Sequence, residues 1–344
     1  MAVLVTGGAG YIGSHMAWAL LDAGEDVVVL DRLSTGFRWA VPPAARFYLG
    51  NVGNRDLLAQ IFAENEIDAI LHFAGSIVVP QSVAHPLEYY ENNTSNTRLL
   101  SAAAIEAGIR YLVFSSTAAV YGDLADDTPV VESAPTLPKN PYGQSKLMSE
   151  LMLRDAAAAY DFRFVALRYF NVAGADPAGR TGLSTDGATH LLKIACEAAL
   201  GQRPGVEIYG TDYPTADGTG IRDYIHVSDL VNAHLMALSY LRDGGDPLIA
   251  NCGYGRGYSV RSVLETVKRV SGNEFPVSLS PRRPGDAASV VANSARARDI
   301  LGWVPRHDDL ETIVKTALAW ERSLIERRSG DLQRISQRLA STAF

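Results

Sequence analysis

Cysteine is nearly missing from this sequence: Cys196 and Cys252 are the only two in 344 residues, far apart and in no paired motif. That excludes a disulfide-stapled scaffold, a zinc ribbon and a CxxC redox centre, and it predicts a reducing, cytoplasmic setting. Histidine is sparse too. The seven are scattered without ligand-like spacing, so no metal site is expected. Positive charge is in deficit, with 31 Lys and Arg against 38 Asp and Glu and a net charge of −7. A surface that tracks nucleic-acid phosphates needs the opposite balance, so no nucleic-acid partner is expected; local loops can still bind small anions. No apolar run approaches the ~20 residues that span a bilayer, so no membrane partner is expected. The opening "AVLVT" lacks the basic flank and the length of a signal peptide.

What is present is alternation. Short apolar, β-branched runs at 3–6, 26–31, 46–50, 69–75, 111–116 and 162–170 are separated by longer helical patterns. That succession predicts an α/β fold of Rossmann type, a doubly wound parallel sheet, with ligands at the C-terminal edge of its strands. Residues 1–170 form the expected dinucleotide-binding domain. Beyond 171 the chain turns rich in glycine, proline and aspartate, which suggests loops shaped around a ligand rather than a second regular sheet. Residues 171–330 are therefore the expected smaller α/β substrate-binding region, with part of the chain crossing back to the first domain. Helices are expected over 227–241, with Ser228 as N-cap, and over 259–272, with Ser259 as N-cap and Gly272 as stop. The mixed-charge end, 331–344, reads as a solvated helix fraying into a tail.

"VLVTGGAGYIGSHMAWALLDAG" is a strand, a glycine turn and a helix in succession. Gly7, Gly10 and Gly13 satisfy G-x-x-G-x-x-G, and Gly8, Gly10 and Gly13 satisfy G-x-G-x-x-G. Such a loop supplies a tight turn, a close backbone approach to a pyrophosphate and close helix packing, with the helix N-terminus facing the phosphates. Asp31, ending the second strand, can accept both ribose hydroxyls of NAD and would repel the 2′-phosphate of NADP, although Arg32 beside it complicates that choice.

In "NPYGQSKLMSE", Pro141 suits the first turn of a helix, and Tyr142 and Lys146 then share one face. A free tyrosine titrates at about 10, too high for a base at neutral pH. A neighbouring lysine cation, helped by a nicotinamide cation, favours the phenolate and is expected to lower that value. The strand-end hydroxyls Ser115, Ser116 and Thr117 supply a partner able to hydrogen-bond the same substrate oxygen. Tyr142, Lys146 and a hydroxyl are the candidate catalytic set.

With these strings in view, and with "HFAG", "PLEYYENN", "FSSTAAVYG", "LRYFNVAGA", "GTDYPTADGTGIRDYIHVSDL" and "RRPGD" beside them, the chain resembles the extended short-chain dehydrogenases/reductases. Among these it is similar to the UDP-glucose 4-epimerases, nearly end to end. The resemblance implies an isomerase that keeps NAD bound, takes hydride from C4 of a UDP-sugar, lets the 4-keto sugar rotate, and returns the hydride to the opposite face. Thr117 becomes the partner hydroxyl of Tyr142. Tyr11, Ile12, Asn51, Val52, Phe73, Ala74, Gly75, Asn92, Ser115 and Tyr169 join the three glycines, Asp31, Tyr142 and Lys146 around the cofactor. Asn171, His190, Arg222, Arg283, Asp286 and Val290, with Thr117 and Tyr142, hold the UDP-sugar.

The chain departs from those relatives at Ile77, where many carry a lysine, at Asn51, usually an aspartate, and at Val290, where some carry a tyrosine that closes the sugar pocket. The last departure opens the way to N-acetylated UDP-hexosamines. Three other readings stand beside this one. A dehydratase would place an Asp–Glu pair where Ala118 and Ala119 stand, and methyl groups transfer no protons. A UDP-pentose epimerase remains open, and a non-catalytic NAD sensor would have little need for Tyr142 and Lys146 together. Family analogy implies a homodimer through the helices after "PLEYYENN" and from Tyr142, with Met148, Leu151 and Met152 as apolar surface.

Overall fold

The six expected runs become strands β1 (Ala2–Thr6), β2 (Asp26–Asp31), β3 (Arg46–Leu49), β4 (Ile67–His72), β5 (Tyr111–Thr117) and β6 (Arg163–Tyr169) in a computed structural model that describes residues 1–122, 128–283 and 286–341. Pro284 and Gly285 of "RRPGD" and the last three residues of the expected tail lie outside the described residues. The chain continues through β7 (Asn171–Ala173), β8 (Val206–Tyr209), β9 (Ile221–His226), β10 (Leu248–Cys252), β11 (Gly257–Ser259), β12 (Val277–Ser280) and β13 (Ser289–Val290).

The main sheet has the order β10-β6-β5-β4-β1-β2-β3, and every neighbouring pair is parallel. Parallel strands covered on both faces must be apolar on both, and β1 is buried along its whole length. Alternate residues feed two cores. Val3, Val5, Val29, Leu71, Val113 and Val165 enter one, while Leu4, Val28, Leu30, Ile70, Leu112 and Phe164 enter the other. Each such side chain contributes about 1.5–3 kcal/mol of transfer free energy. After β3 the chain crosses back to β4, so the winding reverses between β1 and β4, which opens a crevice above the strand ends.

In the α/β region beyond 171 short strands form small sheets, where loops in place of a second regular sheet were expected beside the helices. β9 pairs with β11 antiparallel and with β13 and β7 in parallel, and β12 pairs with β8. Most of these strands have two to four residues, too few for a period of two to show in sequence. The helix expected over 227–241 runs Val227–Arg242, but its N-cap is His226, whose imidazole accepts from the Ser228 N–H, and not Ser228 itself. Ser259 and Gly272 bound the helix Val260–Ser271 as expected, the serine accepting from Ser262 N and the glycine at φ +72°. The final helix extends from Leu310 to Ser341.

Candidate functional site

The glycine turn is dictated by contact. Gly7 lies at φ +71°, and a Cβ on it would fall 2.6 Å from the Ala74 nitrogen; a Cβ on Gly13 would fall 2.2 Å from the Gly7 oxygen. A backbone that close tolerates no side chain. Gly10 is the N-cap of the helix Tyr11–Asp22 and has no side-chain cap, so the first-turn N–H groups, including those of Tyr11, Ile12 and Gly13, face outward for an anion. Asp31 completes the cradle: its carboxylate accepts from Ala9 N at 2.9 Å and from Leu33 N at 2.7 Å.

Further along the edge, Phe73 N donates to Thr6 O, Ala74 lies against Gly7, and Val52 is buried. Asn51 accepts from Gly53 N at 2.9 Å and from Asn96 Nδ2 at 3.2 Å. Asn92 donates to Ser76 Oγ at 2.8 Å from within a π-helical turn, Tyr90–Ser95, a local irregularity often found at functional sites. Its neighbour Asn93 was missed in the sequence. It is buried, accepts from Ser76 N and donates to Ser145 Oγ, tying the loop after β4 to the helix that carries Tyr142. No sequence pattern signals it.

That helix spans Pro141–Ala159, capped by Asn140, whose side chain accepts from Gly143 N at 2.9 Å. Lys146 is buried and donates to Ser115 O at 2.9 Å, with its ammonium 4.8 Å from the centre of the Phe114 ring. A Cβ on Gly75 would approach Lys146 Nζ to 3.4 Å, so the bare backbone leaves the ammonium room at the cofactor loop. Ser115 Oγ and the Tyr169 hydroxyl share a short hydrogen bond. Below, Glu150 is buried against Arg168, with Nη2 to Oε2 at 2.6 Å, and against Ser116. Removing either partner would leave a buried charge uncompensated, so the pair fixes the helix to β5 and β6.

The protein's own groups do not by themselves give the lowered tyrosine pKa expected of the lysine and a nicotinamide cation together. Burial, not a lysine field, dominates: it pulls Lys146 from 10.5 down to about 8 and pushes the Tyr142 phenol up, the hydrogen bond with Thr117 opposing that rise. The Lys146 ammonium is directed at Ser115 O and not at the phenol. The protein's own groups alone hold Tyr142 protonated, and among them the Thr117 hydroxyl favours its phenolate.

The candidate substrate residues gather on the smaller sheet. Asn171 on β7 is in register with Tyr224 of β9, and Val290 on β13 with Arg222 of β9. Arg222 Nη2 lies 3.9 Å from Asp286 Oδ1, Asp286 N donates to Arg283 O, and the Arg283 guanidinium covers the Tyr209 ring at 3.8 Å. His190 precedes the helix Leu191–Ala199; its buried Nδ1 has no partner among the described residues, and burial lowers its pKa. It lines a small cavity with Tyr11, Lys193, Trp320 and Glu321. Tyr11 donates its hydroxyl to Gly174 O at 2.6 Å, which joins the glycine turn to this region. Among the described residues there is no cluster of three or more metal-ligating side chains, and no helix is long and apolar enough to cross a membrane.

A switch-point crevice with a glycine cradle, an acid at the second strand end and a Tyr–Lys pair beside a strand-end hydroxyl defines a dinucleotide-dependent enzyme of the α/β class. The chain belongs to the NAD dependent epimerase/dehydratase family, whose model matches residues 3–253. It is 59% identical to a UDP-glucose 4-epimerase of Azospirillum brasilense over 94% of this chain and 92% of that one. Among solved structures it is similar to UDP-glucose 4-epimerase from Brucella ovis in complex with NAD, at 42% identity and TM-score 0.90 over 92% of this chain and 97% of that one. It is also similar to the Bifidobacterium longum enzyme in complex with NAD+ and UDP, at 36% identity and TM-score 0.89 over 94% and 98%. The cradle fits NAD: its turn closes at backbone contacts that admit no Cβ on Gly7 or Gly13, its helix N-terminus has no side-chain cap, and its acid is held in place by Ala9 and Leu33.

Proposed function

We propose that this chain is an NAD-dependent isomerase that interconverts UDP-galactose and UDP-glucose at C4 of the sugar. The observation that carries the reading is the placing of Tyr142 in the first turn of the helix Pro141–Ala159, where the Thr117 hydroxyl at the end of β5 acts on its phenol, with Lys146 one helical turn away and bonded to Ser115 O of the same strand. Bound NAD supplies the hydride acceptor and donor for the redox pair of steps. As the phenolate, which the Lys146 ammonium and the positive charge of a bound nicotinamide would together favour, Tyr142 takes the proton from the sugar 4-hydroxyl and later returns it, while Thr117 bridges that oxygen and the phenol. Lys146, buried and directed at Ser115, orients the ribose beside Gly75 and adds a positive charge as the phenol ionises.

Arg222 and Arg283 are suited to the diphosphate, since a guanidinium fork matches phosphate oxygens, with Asp286 orienting Arg222. Asn171 and His190 complete the nucleotide site, and Asn51, Val52, Phe73, Ala74, Asn92 and Tyr169 line the cofactor side. Residues 1–170 act mainly as the cofactor domain and 171–330 as the UDP-sugar region. The chain works in the cytoplasm as a homodimer. Met148 and Leu151 expose apolar surface on the helix of Tyr142, which supports that assembly, while Met152 is half-buried. Val290, smaller than a tyrosine and in register with Arg222, favours N-acetylated UDP-hexosamines as additional substrates.

The test is purified protein incubated with UDP-galactose, without and with added NAD, following UDP-glucose by chromatography. Product without net NADH is the expected outcome. No product under either condition would overturn the assignment.

A further inference from the structure

The segment after β2, residues 32–40, runs past the acid and the glycine turn, and its own backbone holds it loosely. Leu33 lies at φ +57°, the one non-glycine residue in the left-handed region among the described residues. A conformation that is costly for a leucine persists only where the surroundings enforce it. Locally, Asp31 accepts from Leu33 N, and Arg32 Nε donates to Ser34 Oγ at an exposed site.

Thr185 Oγ1 donates to Thr35 O and Trp18 Nε1 to Ala40 O, each at 3.3 Å, the Arg38 guanidinium covers the Phe47 ring, and a further restraint comes from the other end of the chain. Trp39 is 43% exposed, yet its ring stacks on Phe37 at 5.2 Å and faces Trp320 of the final helix at 6.0 Å. The Arg327 guanidinium, two turns further along that helix, covers both indoles, 5.0 Å from Trp39 and 5.4 Å from Trp320. Trp320 is itself immobile: buried, donating to Ser184 Oγ, with Gly182 so close beneath it that a Cβ would fall 2.3 Å from the ring. At the other end of the stack, Phe37 N donates to Ala9 O at 2.9 Å, and a Cβ on Gly36 would fall 2.5 Å from that same oxygen. A continuous series of contacts therefore runs from Arg327 through Trp39 and Phe37 to the turn between Ala9 and Gly10.

We infer that Trp39 and Arg327 are positioning residues that brace the 32–37 loop against the glycine turn and slow the release of NAD. The inference rests on the cofactor reading above and extends it to residues that reading does not use. A guanidinium over indole is the strongest of the side-chain cation–π pairings, and here one cation serves two rings. The exposed Ile77, which places no cation near the loop after β4, leaves NAD retention more dependent on restraint elsewhere.

The experiment compares full-length Trp39→Ala, Arg327→Ala, Arg327→Lys and Lys315→Ala, each loaded with NAD and followed for its rate of loss after dilution into excess unlabelled nucleotide. Melting of the NAD-free forms is measured alongside. Lys315 pairs with Glu311 on the same helix and serves as the control. Trp39→Ala and Arg327→Ala should release NAD about threefold to tenfold faster. Arg327→Lys should restore much of the retention, and the NAD-free melting temperatures should stay together. Release no faster than in Lys315→Ala overturns the brace, as does faster release that simply tracks a drop in NAD-free melting. A parental protein that binds no NAD would overturn the cofactor reading and the brace with it, whereas normal parental binding with unaltered variants overturns the brace alone.

Discussion

The two halves of the site are built differently. On the cofactor side, the glycine turn, Asp31, and Lys146 with its Ser115 contact stand on long buried elements of one parallel sheet, and side chains are excluded at 2.2 to 2.6 Å from facing backbone. On the substrate side, Asn171, Arg222 and Val290 stand on strands of three, six and two residues, and Arg222 approaches Asp286 only to 3.9 Å. The rigid half can hold a cofactor through many turnovers. The looser half suits a ligand that enters, turns over and leaves.

Loss of the proton carrier should have the largest effect. Tyr142→Phe keeps the ring and the packing and removes the hydroxyl that meets Thr117, so turnover should fall by about a thousandfold with NAD still bound. Steady-state kinetics with a bound-nucleotide assay checks both halves of that statement. Gly13→Ala attacks the rigid half by itself: the new methyl meets the Gly7 carbonyl, and the helix must shift away from the turn. Overpacking of this kind weakens binding by about tenfold to a hundredfold, and titration of NAD into the variant should show that loss. Arg222→Ala is the mirror experiment. KM for the UDP-sugar should rise by about tenfold or more, for one charge-assisted contact removed, while NAD content stays at the parental level. If NAD is lost together with substrate affinity, the two halves are not separable.

Acid should also discriminate. Burial lowers His15 and His234 from 6.5 to about 4, and His72 and His226 to about 3. Unfolded imidazoles take up protons as the pH falls below about 6.5, whereas the folded ones refuse them until pH 4 or 3. The stability these groups contribute is therefore complete above 6.5 and is lost as the pH falls, at about 1.4 kcal/mol per pH unit for each histidine. His72 on β4, His15 on the first helix and His234 beneath Phe73 all belong to the cofactor side. Denaturation midpoints should fall between pH 7 and 5, with NAD released in step; a flat profile refutes the burial argument.

The same contrast explains what was legible in the sequence. A glycine turn between a strand and a helix is a local pattern, and two of its glycines, Gly7 and Gly13, prove to sit at contacts that only glycine satisfies. Pro141, Tyr142 and Lys146 are likewise neighbours on one helix. Their environment was not legible: a positive field on the phenol was expected, and burial opposes it, because desolvation depends on residues from other strands. The smaller sheet was missed because Asn171 and Val290 join it through strands of three and two residues, too short to show a period. Asn93 and the Trp39–Arg327 stack join segments far apart in the chain, where no spacing rule reaches.

The smallest expected effect lies where the looser half meets the sugar. Val290 is half-buried and in register with Arg222, and its isopropyl group is smaller than a tyrosine's phenol. Val290→Tyr should leave UDP-galactose turnover within about twofold and reduce turnover of UDP-N-acetylglucosamine by about tenfold, since rejecting one bulky substituent is worth roughly 1–3 kcal/mol. The ratio of kcat/KM for the two sugars is the quantity to measure, because general damage lowers both terms alike. A parental enzyme with no activity on the N-acetylated sugar would remove Val290 from the specificity argument. A variant that loses both activities equally would show that β13 supports the site's shape and does not select the sugar.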